Sequence, residues 1–230
     1  MVVAIDGPAG AGKSSIAERC SAELGFTYLN SGAIYRAVTW KALELGVQDA
    51  PDERIVEIAQ SLQLQYQGGK LLVDGEPRGD QLHTDRVDRH VARHSAIPAV
   101  REMVNRRLRQ IADGANVMVE GRDITTVVFP NADVKIYLDA SVETRARRRW
   151  EQQRAQASGN GGREDDTPTL EQIAERIRER DEADRKKAAG SLKQAADAVY
   201  LDTSLLTIDE VCERVIATIR NTREYQELQS

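Results

Sequence analysis

At 230 residues the chain can bury a full hydrophobic core and sits near the upper end of the single-domain range, so one domain with insertions is expected. Hydrophobic residues at 40% and charged residues at 30% exclude a disordered chain, and a net charge of -5 with a pI near 5.4 excludes a surface built throughout to hold nucleic acid. Cys20 and Cys212 lie far apart on apolar helical positions and read as core residues, and no run approaches the roughly 18 apolar residues of a membrane span.

Val2 to Ile5 form a short β-branched run suited to a strand buried on both faces of a parallel sheet. No basic or long apolar leader precedes it, which predicts a cytoplasmic protein. The run leads into Gly7-Pro8-Ala9-Gly10-Ala11-Gly12-Lys13-Ser14, after which Ile16, Cys20 and Leu24 recur at four-residue spacing and Gly25 closes a helix. A glycine, four residues and then Gly-Lys-Ser between a strand and a helix is the P-loop pattern. Its glycines let successive backbone N–H groups curl round a phosphate. The helix N-terminus adds partial positive charge, Lys13 reaches the β- and γ-phosphates, and Ser14 can ligate Mg2+. With no Asn-Lys-x-Asp base-reading motif and no Asp-x-x-Gly segment after the loop, the GTPase reading lacks support and a small-molecule kinase becomes the default.

Asn30-Ser31-Gly32-Ala33-Ile34-Tyr35-Arg36 follows a second strand and puts Ser31 and Arg36 near the carboxyl end of the sheet, where α/β proteins bind ligands. A helix cap at Ser31 with Arg36 on a solvated face is the other reading of the same residues. Leu64 to Pro77, with Gly68-Gly69 and Asp74-Gly75, reads as a β-hairpin with a further turn. Thr84 can cap a helix through Val87 and Val91, and Pro98 opens another carrying Val100, Met103, Val104, Leu108 and Ile111. Residues 63–95 therefore read as an inserted subdomain. His83, His90 and His94 fall in or beside it without the carboxylates or cysteines of a metal site and read as surface residues.

Val117 to Val119, Val134 to Leu138 and Val199 to Leu201 are further strands, separated by helical or long segments, which is the alternation of an α/β parallel sheet. Glu120-Gly121-Arg122-Asp123 leaves the first of them, where Arg122 can hold a phosphate bidentately and Asp123 can accept from an exocyclic amine or orient a neighbouring arginine. A self-satisfied ion pair at a tight turn fits these residues as well. Helices beginning near Ser141 and Thr169 flank a polar, glycine-rich tip at 157–168, so 150–187 reads as a lid. Its second helix is largely a solvated face laced with ion pairs, yet Arg180, Asp184 and Lys187 share one side, while Arg145, Arg147, Arg148 and Arg149 crowd the other helix. Thr207 and Glu210 have capping-box spacing, and Ile208, Val211, Val215 and Ile219 line one face of a closing helix.

With these motifs in this order the chain resembles the bacterial cytidylate kinases, members of the P-loop nucleoside monophosphate kinase family. The resemblance runs nearly the whole length. It rests on Ile-Asp-Gly-Pro-Ala-Gly-Ala-Gly-Lys, Ser-Gly-Ala-Ile-Tyr-Arg, Gly-Arg-Asp, Glu-Arg-Asp, Pro-Ala-Val-Arg at 98–101 and Thr-Val-Val-Phe-Pro at 126–130. It implies the nucleoside monophosphate kinase fold: a parallel sheet with helices on both faces, a small inserted β/α monophosphate-binding subdomain and a helical lid. It also implies ATP-dependent phosphorylation of CMP and dCMP by a monomer that binds no nucleic acid polymer and no membrane.

Under the resemblance, ATP would be held by Gly7, Pro8, Ala9, Gly10, Ala11, Gly12, Lys13, Ser14, Ser15 and Arg148, with Mg2+ at Ser14. Arg36, Arg122 and Arg180 would meet the acceptor phosphate and, with Lys13, carry catalysis. Arg101 and Asp123 would contact the base and Asp184 the sugar, with Ser31 and Lys187 in the same acceptor site. The chain departs from the family pattern at Ala92, where a serine often contacts cytosine, and at Lys187, where an arginine usually stands. Glu120 replaces a common aspartate, Thr125 a common glycine, and the lid tip is longer. The alternatives are a P-loop kinase for another acceptor, such as UMP or a non-nucleotide alcohol, and a non-catalytic ATP-dependent switch.

Overall fold

A computed structural model describes residues 1–67, 69–159, 168–187 and 189–229. The chain runs β1 (Val2–Asp6), α1 (Lys13–Leu24), β2 (Thr27–Asn30), α2 (Ser31–Glu44) and α3 (Asp52–Ser61). Three short strands follow, β3 (Leu64–Gln67), β4 (Lys70–Val73) and β5 (Glu76–Pro77), then a 3-10 turn (Gly79–His83), α4 (Asp85–His94) and α5 (Pro98–Ala112). The second half holds β6 (Val117–Gly121), a π-helical turn (Ile124–Val128), β7 (Val134–Asp139), α6 (Val142–Gly159) and α7 (Leu170–Lys186). It ends with β8 (Val199–Asp202), α8 (Ile208–Arg220) and α9 (Arg223–Leu228).

The main sheet has the order β2-β6-β1-β7-β8 with every pair parallel, so β1 is central and the loop at its carboxyl end lies between the ends of β6 and β7. The two-residue side-chain period of a strand divides its burial between two cores. Ala4, Val117 and Val119 face a cluster built from α2, α3 and α5, while Val3, Ile5 and Met118 face α1 and α8 on the other side. All six are fully buried, which is why the strands read as continuous apolar runs.

The short sheet β3-β4-β5 is antiparallel, with Leu64 opposite Val73 and Leu72 opposite Pro77. Leu64, Leu71, Val73, Leu82 and Val87 from 64–87 join the same apolar cluster as α2 and α5. Helix α2 is therefore enclosed by the main sheet, α3, α4 and α5, and it buries Ile34, Tyr35, Ala37, Val38, Thr39, Trp40 and Ala42 around most of its circumference.

Three sequence expectations change in the structure. His94, expected at the surface, is fully buried where α4 meets α2: Nδ1 lies 3.0 Å from Thr39 Oγ1, Nε2 lies 2.9 Å from Gln48 O, and burial pushes its pKa down. Ile208, expected on the buried face of α8, is half exposed because it is the first residue after the Thr207 cap, ahead of the turns that pack on α1. Helix α6 runs to Gly159, past the Ala157 start expected for the polar tip, whose residues 160–167 lie outside the described residues, as does Gly68 of the hairpin turn.

The backbone at Gly7 tests how tightly the P-loop is set against the sheet. Its φ is 152°, and a Cβ there would stand 1.9 Å from the carbonyl oxygen of Leu138 in β7. Gly25 has a φ of 70° with nothing within 4 Å of a Cβ. Gly7→Ala is expected to lower stability by about 3 kcal/mol or more, read as a reduced urea midpoint, because backbone must move as well as twist. Gly25→Ala should cost only about 1–2 kcal/mol, the strain of the left-handed conformation alone.

Candidate active site

Positive φ at Gly10 and Gly12, 80° and 90°, turns the loop back on itself so that α1 starts at Lys13 directly beside the end of β1. Lys13 is buried and its Nζ donates to Pro8 O at 2.8 Å. Burial pushes its pKa down to about 7; Arg122 and Arg180 push the same way, and the carboxylates of Glu120 and Asp6 oppose them. Ser14 and Ser15 are exposed in the first turn of α1.

The carboxyl end of β6 supplies the next groups. Glu120 is buried and accepts from the Tyr28 hydroxyl at 2.5 Å, which in turn receives Asn30 Nδ2 at 3.2 Å and lies within reach of Ser14. Arg122 reaches back to the P-loop, donating from Nη1 to Gly7 O at 3.0 Å, and from Nε to Asp184 Oδ2 on α7 at 3.0 Å. Asp184 also holds Lys187 at 2.9 Å; burial works against its charge, but Arg122 and Lys187 outweigh it and keep the carboxyl below the usual range.

Arg180, one turn earlier on α7, is exposed by surface area yet crowded by its neighbours. That crowding lowers its pKa, and Arg122 and Arg36 lower it further while Asp184 and Asp88 oppose. Arg36 extends from α2 to Leu82 O at 2.9 Å and Asp88 Oδ1 at 2.5 Å. Lys13, Arg122, Arg180 and Arg36 thus come from four separate segments and are linked, each to the next, by the electrostatic effect of one on another. Cations brought together this way repel one another, and the arrangement suits a site built for several anionic groups.

The chain as a whole is similar to known proteins in sequence and fold. The family model described as "Cytidylate kinase" matches residues 3–221. The chain belongs to the cytidylate kinase family. A cytidylate kinase of Caldanaerobacter subterraneus subsp. tengcongensis is 41% identical over 96% of this chain and 96% of its own. Those of Solibacter usitatus and Rhodopirellula baltica are 41% and 40% identical, each over 96% of this chain and 93% of theirs. Among solved structures, an uncharacterized protein from Eubacterium ventriosum is similar with a TM-score of 0.50 at 9% identity, covering 96% of this chain and 99% of that one, a likeness of fold alone. Members of this family are phosphotransferases, and among the described residues no helix is long and apolar enough to cross a membrane.

The remaining residues expected in a cytidylate kinase site fall into two groups. Arg101 and Asp123 pair with each other at 2.5 Å in a buried contact, with Arg101 also donating to Ser95 O at 3.1 Å and stacking its guanidinium 5.6 Å from the Tyr35 ring centre. Ser31 is not the cap of α2, a role Asn30 takes by accepting from Ala33 N at 3.0 Å; the Ser31 hydroxyl instead donates to Glu120 O at 2.8 Å. Ala92 is exposed on α4. Arg148 stands apart, on α6, where both Nη atoms bind Thr203 at 3.1 and 2.7 Å, and the Thr203 hydroxyl touches the P-loop at Ala11 O, 3.4 Å away.

Two residues to which the sequence assigned no role, Asp6 and Arg145, act as positioning groups. Asp6 is fully buried and accepts from Ile124 N at 2.9 Å, Thr125 N at 2.7 Å and Thr125 Oγ1 at 2.6 Å, tying the end of β1 to the turn that follows Arg122 and Asp123. Arg145 grips Asp181 with both Nη atoms at 3.0 and 2.6 Å and donates to Ala9 O at 3.1 Å, so α6, α7 and the P-loop share one buried guanidinium. A carboxylate directly before a P-loop, and an arginine at the head of a helix facing an acidic one, are signals that sequence carries but does not rank.

The state of Lys13 would make binding of a triphosphate at the P-loop proton-linked. Above pH 7 the free ammonium is largely deprotonated, whereas a triphosphate beside it favours the charged form, so the complex holds more protons than the free protein. Between about pH 7.5 and 9, ATP binding should take up a proton and weaken as pH rises, by at most tenfold per pH unit. Calorimetry in two buffers of different ionisation enthalpy checks this, and the uptake should vanish in Lys13→Met.

Proposed function

We propose that the chain transfers the γ-phosphate of ATP to CMP and dCMP, and that Lys13, Arg36, Arg122 and Arg180 bring the two nucleotides' phosphates together. The observation that carries this reading is the convergence of the P-loop lysine with three arginines from α2, the end of β6 and α7. ATP on the P-loop would place its β- and γ-phosphates at Lys13 and the first turn of α1. The acceptor phosphate, entering from the α2 side, would meet Arg36, Arg122 and Arg180.

A nucleoside monophosphate has a second phosphate pKa near ~6, so its attacking oxygen is already ionised at neutral pH and needs no general base. What remains is to bring two anions together in line and neutralise them, which cations already gathered at the site accomplish with little reorganisation. Arg122 suits this role because the P-loop carbonyl of Gly7 and the carboxylate of Asp184 hold its Nη1 and Nε.

The Mg2+ expected of such a reaction fits the residues around Ser14. Its hydroxyl is exposed in the first turn of α1, backed by the Tyr28 hydroxyl and the Glu120 carboxylate, an all-oxygen set suited to a hard cation. Among the described residues no group of three or more His, Cys, Asp or Glu side chains could hold a metal by itself, which suits an ion carried mainly by phosphates and water. When bound, Mg2+ would neutralise charge on the β- and γ-phosphates.

Base recognition would rest on Arg101 and Asp123, whose mutual ion pair presents a donor and an acceptor in fixed orientation. Ala92 has no side-chain donor, and Lys187 is engaged by Asp184 and lacks the planar fork of an arginine. Helices α6 and α7 would close over the site and exclude water, with residues 150–187 acting as lid and 63–95 as the monophosphate-binding unit.

An acceptor screen with CMP, dCMP, UMP and no acceptor, read as ADP formation, should give turnover that depends on a cytidine monophosphate. Acceptor-independent turnover, or a preference for UMP, would contradict the proposal. Arg122→Ala is expected to reduce kcat/KM for CMP by about 10²–10³ while ATP affinity stays within severalfold, since its backbone contact on the P-loop is replaceable and its charge in transfer is not. Ala92→Ser with Lys187→Arg should raise the preference for CMP over UMP by up to about tenfold, the worth of one neutral hydrogen bond.

A further inference from the structure

Three arginines of the candidate site are each paired with a carboxylate, but the pairs are not alike. Arg101–Asp123 is buried on both sides, and in Arg122–Asp184 the carboxylate is buried. Releasing either arginine would leave a carboxylate enclosed and underpaired, which is costly. Arg36–Asp88 differs: the arginine side chain is 14% exposed and the aspartate 30%. Asp88 stands in the first turn of α4, capped at Thr84, where the helix amino end favours a negative charge and solvent reaches the carboxylate. It can give up Arg36 without being stranded.

The contact also takes the guanidinium at its most useful atom. A guanidinium grips a phosphate in bidentate fashion along the Nη1/Nη2 edge or the Nε/Nη2 edge, and both include Nη2. Asp88 Oδ1 holds Nη2 at 2.5 Å while Leu82 O holds Nη1 at 2.9 Å. A phosphate dianion approaching Arg36 must therefore displace the carboxylate or sit against a like charge. The same carboxylate acts electrostatically on Arg180 across the site, so its influence is not confined to Arg36.

We propose that Asp88 is a built-in competitor for the acceptor phosphate, holding Nη2 of Arg36 until a phosphate dianion takes its place and thereby setting acceptor affinity. This rests on Arg36 being an acceptor-phosphate ligand, as proposed above. A dianion outcompetes the single charge of Asp88 at a guanidinium, whereas a singly charged or neutral ligand does not, so the exchange favours phosphomonoesters over other molecules that fit the base pocket.

The test is equilibrium binding of CMP, inorganic phosphate and cytidine to the native chain and to Asp88→Asn, which keeps the side chain's shape and removes its charge. The expected result is about three- to tenfold tighter binding of CMP and of inorganic phosphate, with cytidine unchanged and KM for CMP falling in step. Asp85→Asn, in the same helix turn, controls for the helix end and should leave CMP binding unaltered. The gain should disappear when Asp88→Asn is combined with Arg36→Gln. Weaker or unchanged CMP binding in Asp88→Asn would overturn the inference, the former by showing that Asp88 positions Arg36 instead. Equal tightening of cytidine would overturn it too. A native chain that fails to phosphorylate CMP removes the functional reading itself; a native chain that turns CMP over, with no tightening in the variant, removes only the role of Asp88.

Discussion

The buried carboxylate of Asp6 is the constraint on which the rest of the site depends. It is the last residue of the central strand, and its two oxygens accept from Ile124 N, Thr125 N and Thr125 Oγ1. Burial raises its pKa, and the three hydrogen bonds from Thr125 and Ile124 oppose that rise. A carboxylate in this position costs free energy unless those donors are kept in place, so the turn after Arg122 and Asp123 cannot drift from the start of the P-loop. The P-loop and the arginine proposed for the acceptor phosphate are thereby held in one frame, reinforced by Arg122 reaching Gly7 O.

Around that frame the site is organised by managing repulsion among cations. Lys13 is pushed down by burial, Arg122 and Arg180, and Arg180 by burial, Arg122 and Arg36, with Glu120, Asp6, Asp184 and Asp88 placed to moderate them. The carboxylates differ in how firmly they are bound to their arginines. Asp184 and Asp123 are enclosed and fix geometry, as does Asp181, which clamps Arg145 between α7 and the P-loop. Asp88 is accessible and exchangeable. The same ion-pair chemistry therefore serves as scaffold in one place and as competitor in another, and the difference lies in burial.

Much of this was legible from the chain itself. The P-loop is a contiguous pattern whose glycines, lysine and serine act through local backbone geometry, so its location and its place between β1 and α1 follow from spacing. The strands Val117 to Val119 and Val134 to Leu138 announced themselves because burial on both faces demands apolar residues, Lys135, which pairs with Asp197, being the one interruption in these two runs. Thr169 with Gln172 and Thr207 with Glu210 were legible as capping boxes for the same reason: the partners are three residues apart.

What sequence determined by itself is the set of local devices and, through their order, membership in a family of phosphotransferases. What only the tertiary structure decided is which distant charges meet. Nothing within a few residues of Arg36 reveals that Asp88 is its partner, 52 positions away, or that Arg145 closes on Asp181, 36 away. His94 looked like a surface residue because a polar side chain on a charged helix usually is one, yet Thr39 and the Gln48 carbonyl satisfy both of its nitrogens and let it be enclosed. The physical reason is common to all three. Local structure is set by the backbone and its nearest neighbours, whereas a buried polar group is tolerated only by partners that packing brings together from elsewhere in the chain.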